Sequence, residues 1–148
     1  MDKYVEGLNG FMDALGIMNK DVNRGSEYCM VRLNDGDTLL SALNAWHATL
    51  SDKYPPAYWH PQLTETTGAQ VEKTAARWFF EHPAMNALPE AVRNNVLAVF
   101  HDRISEMMGH YRVYELMTAP PVWYASAWDE FVFDAQYGRF LLHLSCYD

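Results

Sequence analysis

Apolar positions recur with a helical period at the start of the chain. Val5, Leu8, Phe11, Met12 and Leu15 take i, i+3, i+4 and i+7 spacing, which predicts a helix over about 3–18. Gly7, Gly10 and Gly16 weaken it, because glycine costs a helix about 1 kcal/mol relative to alanine. After a polar stretch, Asn19–Ser26, the run Tyr28–Leu33 (YCMVRL) predicts a short strand, closed by the turn-prone Asn34-Asp35-Gly36-Asp37.

The period returns to helical over about 38–51, where Leu39, Leu40, Leu43, Trp46 and Leu50 share a stripe and Asp37 is placed to N-cap. Pro55, Pro56 and Pro61 then mark a loop that carries Tyr54, Tyr58 and Trp59. Thr67-Gly68-Ala69-Gln70 fits a capping box, opening a helix to about Glu81 that His82-Pro83 ends. The longest helical pattern spans about 87–117, with Asn86 as a cap and Pro89 in a first turn that needs no backbone donor. Val92, Val96, Phe100, Ile104, Met107, Met108 and Tyr111 stack on one face, and Gly109 is a point where the helix can bend or split.

Past the break at Thr118–Val122 the pattern shortens to β. Trp128–Phe133 and Arg139–Cys146 flank a 134–138 connection of hairpin length, with Gly138 near its end. Alternation puts Phe140, Leu142, Leu144 and Cys146 on one face, and Asp129, Phe131 and Phe133 on one face of the other strand. Two strands alone are marginal in water, and Tyr28–Leu33 is the available third. The expectation is α+β: a single domain, 1–148, of about four helices on one face of a small antiparallel sheet made of the C-terminal hairpin plus one N-terminal strand.

Composition supports a globular chain. Of 148 residues 49% are hydrophobic and 20% charged, enough for a core without disulfides or metals. The formal charge of −8 disfavours direct nucleic-acid binding and favours a basic partner. There is no signal-peptide pattern and no apolar run near the roughly 20 residues that span a bilayer, so a cytoplasmic protein without membrane contact is expected. Cys29 and Cys146 have no CxxC spacing and read as buried thiols, although adjacent strands could bring them together.

Candidate chemistry is sparse. Asp102, Glu106 and His110 stand at i, i+4 and i+8 and could hold a divalent metal, but Asp102 and Glu106 fall roughly opposite the apolar stripe, on the face expected to be solvated. His143 and Cys146 are three apart on a strand and so face opposite sides. Asp129 or Glu130 could approach His143 across the hairpin, yet a pair is not a triad. The 35–37 turn fails the calcium-loop pattern because Trp46 stands where a glutamate is needed, and the glycines form neither nucleotide motif. No catalytic residue or cofactor is assigned.

What remains is aromatic surface. The 54–61 loop serves either as an interface or as core cover, and the outward hairpin face would carry Trp128, Glu130 and Val132. The expected partner-binding residues are Tyr58, Trp59, Trp123, Trp128, Glu130 and Val132. They suggest a small acidic protein that occludes a basic enzyme, as an inhibitor, antitoxin or immunity-type protein does. The alternatives are a hydrolase-like enzyme whose site gathers histidines (His47, His60, His101, His110, His143) with a carboxylate, and a homodimer or other homo-oligomeric structural or assembly subunit.

Overall fold

Residues 2–34 and 36–148 are described by a computed structural model; Asp35, within the expected 34–37 turn, lies outside them. The first helix, α1 (Lys3–Met18), matches its predicted span, and the Asp2 carboxylate caps it by accepting from Tyr4 N and Val5 N. Leu8, Met12 and Leu15 are buried along its apolar stripe. Gly16 lets the helix pass close to the Ser26 carbonyl of the next strand, whereas a Cβ at Gly7 or Gly10 would meet nothing. Asn19 ends the helix and fastens it, donating to Leu15 O and Phe79 O and accepting from His82 N.

The chain continues through strand β1 (Gly25–Arg32), α2 (Leu39–Leu50), a 3-10 turn (Pro56–Trp59) and β2 (Gln62–Thr66). Then come α3 (Gly68–Phe79), the one-turn α4 (Pro83–Asn86), α5 (Glu90–Met108), β3 (Tyr111–Met117), β4 (Ala127–Ala135) and β5 (Gly138–Tyr147). The strands form one antiparallel sheet in the order β1-β5-β4-β3-β2. The class is α+β, as the residue pattern predicts, and β1 does complete the sheet with the C-terminal hairpin. The hairpin turns in two residues, Gln136-Tyr137, rather than five, and Gly138 takes φ 145° just after them.

Several expectations need correction. Among the described residues the sheet has five strands, not three: β2 lies in a stretch read as the approach to α3, and β3 in the tail of the long helix. That helix stops at Met108 because Gly109 takes φ 67° and ψ −140°, a conformation helices cannot contain. Thr38, not Asp37, N-caps α2. Asn86 belongs to α4, so it is Pro89 that stands before α5. Half of the α3 capping box forms, with Thr67 Oγ1 accepting from Gln70 N at 3.2 Å, while the Gln70 amide turns to Thr74.

The largest correction concerns layers. One sheet face is covered by α1, α3 and α5, around Tyr28, Met30, Phe131, Phe133, Phe140, Leu142 and Leu144. The other face, expected to be open, is covered too. Val132, Leu141 and Leu116 pack there against Ala42 and Leu43 of α2. Cys29 and Cys146 are free thiols, since Ser26 and not Cys29 pairs with Cys146.

Candidate functional site

Antiparallel pairing brings the start of β1, the end of β5, the start of β4, the end of β3 and the start of β2 to one end of the sheet. Around that end lie the 19–24 turn, the 3-10 turn and the 118–126 loop. Exposed apolar side chains collect there: Ile17, Met18, Val22, Tyr58, Met117, Trp123 and Tyr147, with Val22 93% and Trp123 74% exposed. An indole standing that far into water is costly for a residue normally used in cores or interfaces. Surface depressions of about 320 to 460 Å³ ring the same end. Gly25 permits one of its features, because a Cβ there would sit 2.5 Å from the Tyr147 ring.

Acidic groups border this end: Asp13, Asp21, Glu27, Glu81, Glu115, Asp129 and Asp148 line the depressions. Of the bases there, Arg24 is paired with Glu81 at 2.6 Å, Arg77 approaches Asp129 at 3.9 Å, and the exposed Lys20 lines two of the depressions. Exposed apolar groups and more carboxylates than bases thus share this end of the sheet.

Beneath it the hydrogen-bonded residues form a buried column. Glu130 pairs with His143 directly across β4 and β5, and its Oε2 lies 2.9 Å from His143 Nδ1. Tyr124 donates its hydroxyl to the same Oε2 at 2.6 Å. His143 Nε2 lies 2.9 Å from Ser145 Oγ. Tyr124 meets Trp59 and Trp128 edge to face at 5.4 and 5.2 Å, and Trp59 stacks on His47 at 4.6 Å and 2°. Ala119 N donates to the Trp59 carbonyl at 2.8 Å, which ties the 118–126 loop to the 3-10 turn.

Electrostatics follow from burial. The His47 ring is fully buried with both nitrogens unpartnered, so burial pushes its pKa down to about 4 against the opposing pull of Glu130. Burial, then the Glu130 carboxylate, raise the Tyr124 hydroxyl far above its ordinary value and keep it a donor. Cys29 is raised to about 12 by burial first, then by Glu27, Glu130 and Asp13.

The sequence-predicted residues therefore divide. Tyr58 and Trp123 are exposed at this end and Trp128 is half-buried there. Trp59, Glu130 and Val132 are buried: Trp59 is core cover, Glu130 an internal acceptor, and Val132 part of the packing under α2. They hold the surface up from beneath. Residues the sequence gave no reason to choose, Met117, Tyr147 and Val22, supply much of the exposed apolar area; their only linear signal is an apolar residue beside a strand end.

Catalytic and metal readings fare differently. Glu130, His143 and Ser145 line up as carboxylate, imidazole and hydroxyl, but Ser145 is 2% exposed and Tyr124 packs over His143. The Cys29 thiol faces a carboxylate-rich surround, the opposite of what activates a nucleophile. His60, His101 and His110 lie apart on the surface, and His101 pairs with Glu72. Asp102 and Glu106 are exposed on α5, Glu106 pairs with Arg103, and His110 lies beyond the helix end, so the three share no helical face. Among the described residues no three His, Cys, Asp or Glu side chains are placed to hold a metal. Nor is any helix among them long and apolar enough to cross a membrane.

An α+β layer structure with an aromatic, acid-bordered sheet end is thus the class defined by fold and site. No protein-family model matches the sequence, and comparison with curated proteins gives no match. Among solved structures, citrus MAF1 is similar in two crystal forms. In space group C 2 2 21 the TM-score is 0.57 at 13% identity; in P 31 2 1 it is 0.60 at 12%. Each comparison covers 97% of this chain and 98% of the other, so the likeness extends across the fold. At this identity it establishes the fold alone.

Proposed function

We propose that this protein binds another protein, a basic one, and acts by occluding it in the manner of an inhibitor, antitoxin or immunity protein. The observation that carries the reading is the gathering of exposed Trp123, Tyr58, Met117, Val22 and Tyr147 at one sheet end bordered by carboxylates. Rigid aromatic groups supply contact area at small entropic cost, and surrounding charge sets partner sign and encounter rate. The net charge of −8 points the same way. The likeness to citrus MAF1 bears on the fold alone and says nothing of the partner.

Affinity capture from the native host at low and high salt tests this. The expected result is one basic protein retained at low salt, weakened at high salt, and lost with the Tyr58→Ser/Trp123→Ser variant. A monomer that captures nothing under either condition overturns the reading. A second reading, a hydrolase-like enzyme, draws on the Glu130–His143–Ser145 line; it requires turnover that His143→Gln abolishes in a protein that still folds.

A further inference from the structure

We infer that residues 37–58, α2 and its flanks, form a cover over the sheet face that carries Val132 and Leu141. The cover opens as one unit while the rest of the fold stays closed, and it opens more readily in mild acid. Among the described residues, no hydrogen bond or ion pair joins this segment to a strand, to another helix or to the 118–126 loop. Its side-chain bonds, Thr38–Ser41, Thr49–Trp46 and Lys53–Ser51, all stay within it. The tethers lie just outside. Arg139 Nη1 donates to Gly36 O at 2.6 Å, and Ala119 N donates to Trp59 O at 2.8 Å.

Helices on the first face are fastened differently. Asn9 of α1 bonds Met30, Trp78 of α3 donates to Asp129, and His101 of α5 meets Glu72 of α3. What holds α2 down is apolar contact, Ala42 and Leu43 against Leu116, Val132 and Leu141, together with the His47 ring stacked on Trp59. That cluster is far smaller than the one under α1, α3 and α5. A layer with few buried apolar contacts and no cross-links between two tethers is the part of a fold that opens first.

His47 ties the opening to pH. It lies on the buried side of α2, and closure strands both ring nitrogens, with Trp59 Nε1 beside them equally unpartnered. A buried ring with no acceptor gives up its proton, whereas the same ring in water takes one up near its ordinary value. Few ionisable groups face it. From β4 comes Glu130, whose attraction is outweighed by burial and whose Oε2 is already taken by Tyr124 and His143. Those two, from the 118–126 loop and β5, stand behind Glu130. The cover turns no charge inward, since Asp37, Asp52 and Lys53 are exposed. Protonation of His47 therefore favours the open state.

Amide hydrogen exchange on the full chain, corrected for the intrinsic rate at each pH, tests this. At pH 7.5 the amides of residues 43–50 should share one opening free energy, lower than that of β5 and only weakly dependent on denaturant. Their protection should fall about tenfold by pH 5.5. Global unfolding frees His47 too, so the weak denaturant dependence is what marks the opening as local. His47→Leu, and His47→Phe, which keeps a ring against Trp59, should each retain the local opening and lose the fall. Exchange of α2 only together with β5, at equal protection and equal denaturant dependence, overturns the inference, as does fraying from one end with no shared value. A fall of the same size in both variants assigns the pH sensitivity to the Glu130–His143 pair and overturns it as well.

Discussion

His47 shows how a single side chain can report on the whole buried column. Its unfolded pKa lies near 6.5 and its folded value near 4, so between those values the unfolded state binds the extra proton. The stability held by keeping the ring neutral is complete above about pH 6.5 and is lost as pH falls toward 4. Denaturant midpoints measured across that window should therefore drop for the native protein and flatten for His47→Leu. Parallel profiles would assign the pH dependence elsewhere. Tyr124 gives a second handle: Tyr124→Phe removes the 2.6 Å bond to a buried carboxylate, and about 1–3 kcal/mol should go with it in chemical denaturation.

At the scale of elements, α1 guards the edge of the sheet. The Asn9 amide donates to Met30 O at 2.9 Å and accepts from Met30 N at 2.6 Å, so a side chain completes the outer backbone groups of β1 where no strand follows. An exposed edge is a template for association, and this clip closes it at mid-strand. Asn9→Ala should cost about 1–3 kcal/mol and increase concentration-dependent association in sedimentation. Unchanged stability and a clean monomer would mean that the clip is incidental. The opposite edge, β2, is blunted differently, by its shortness and by Gln62, Thr64 and Glu65. Those polar residues are also why β2 reads as loop in the sequence.

At the scale of the whole molecule, covering the sheet on both faces sets the energetics. Val132, expected to be outward, is fully buried among Leu116, Leu141 and Leu43. Val132→Ala should cost about 2 kcal/mol, read as a shift in the thermal midpoint, whereas a half-open sheet would lose almost nothing. The same covering explains the misread end of the long helix. Val113 and Leu116 are buried on opposite faces of the sheet, so the strand presents i, i+3 apolar spacing that imitates a helix.

By itself the sequence determined the fold class, the spans of α1 and α3, the β-hairpin and its union with β1. Each of these rests on local periodicity, caps and turn residues, which act within a few positions along the chain. It also drew attention to Tyr58, Trp59, Trp123 and Trp128, but left open whether an aromatic beside a proline-rich break turns outward or covers the core; Tyr58 and Trp123 are exposed, Trp128 is half-buried and Trp59 is buried. Only tertiary structure decided the remainder. Alternation tells which residues share a face but not whether another layer covers that face. That is why Glu130 and Val132 pass from expected surface to interior once α2 and Trp59 lie over them. The shared sheet end exists only through strand register, which joins residues far apart in the chain.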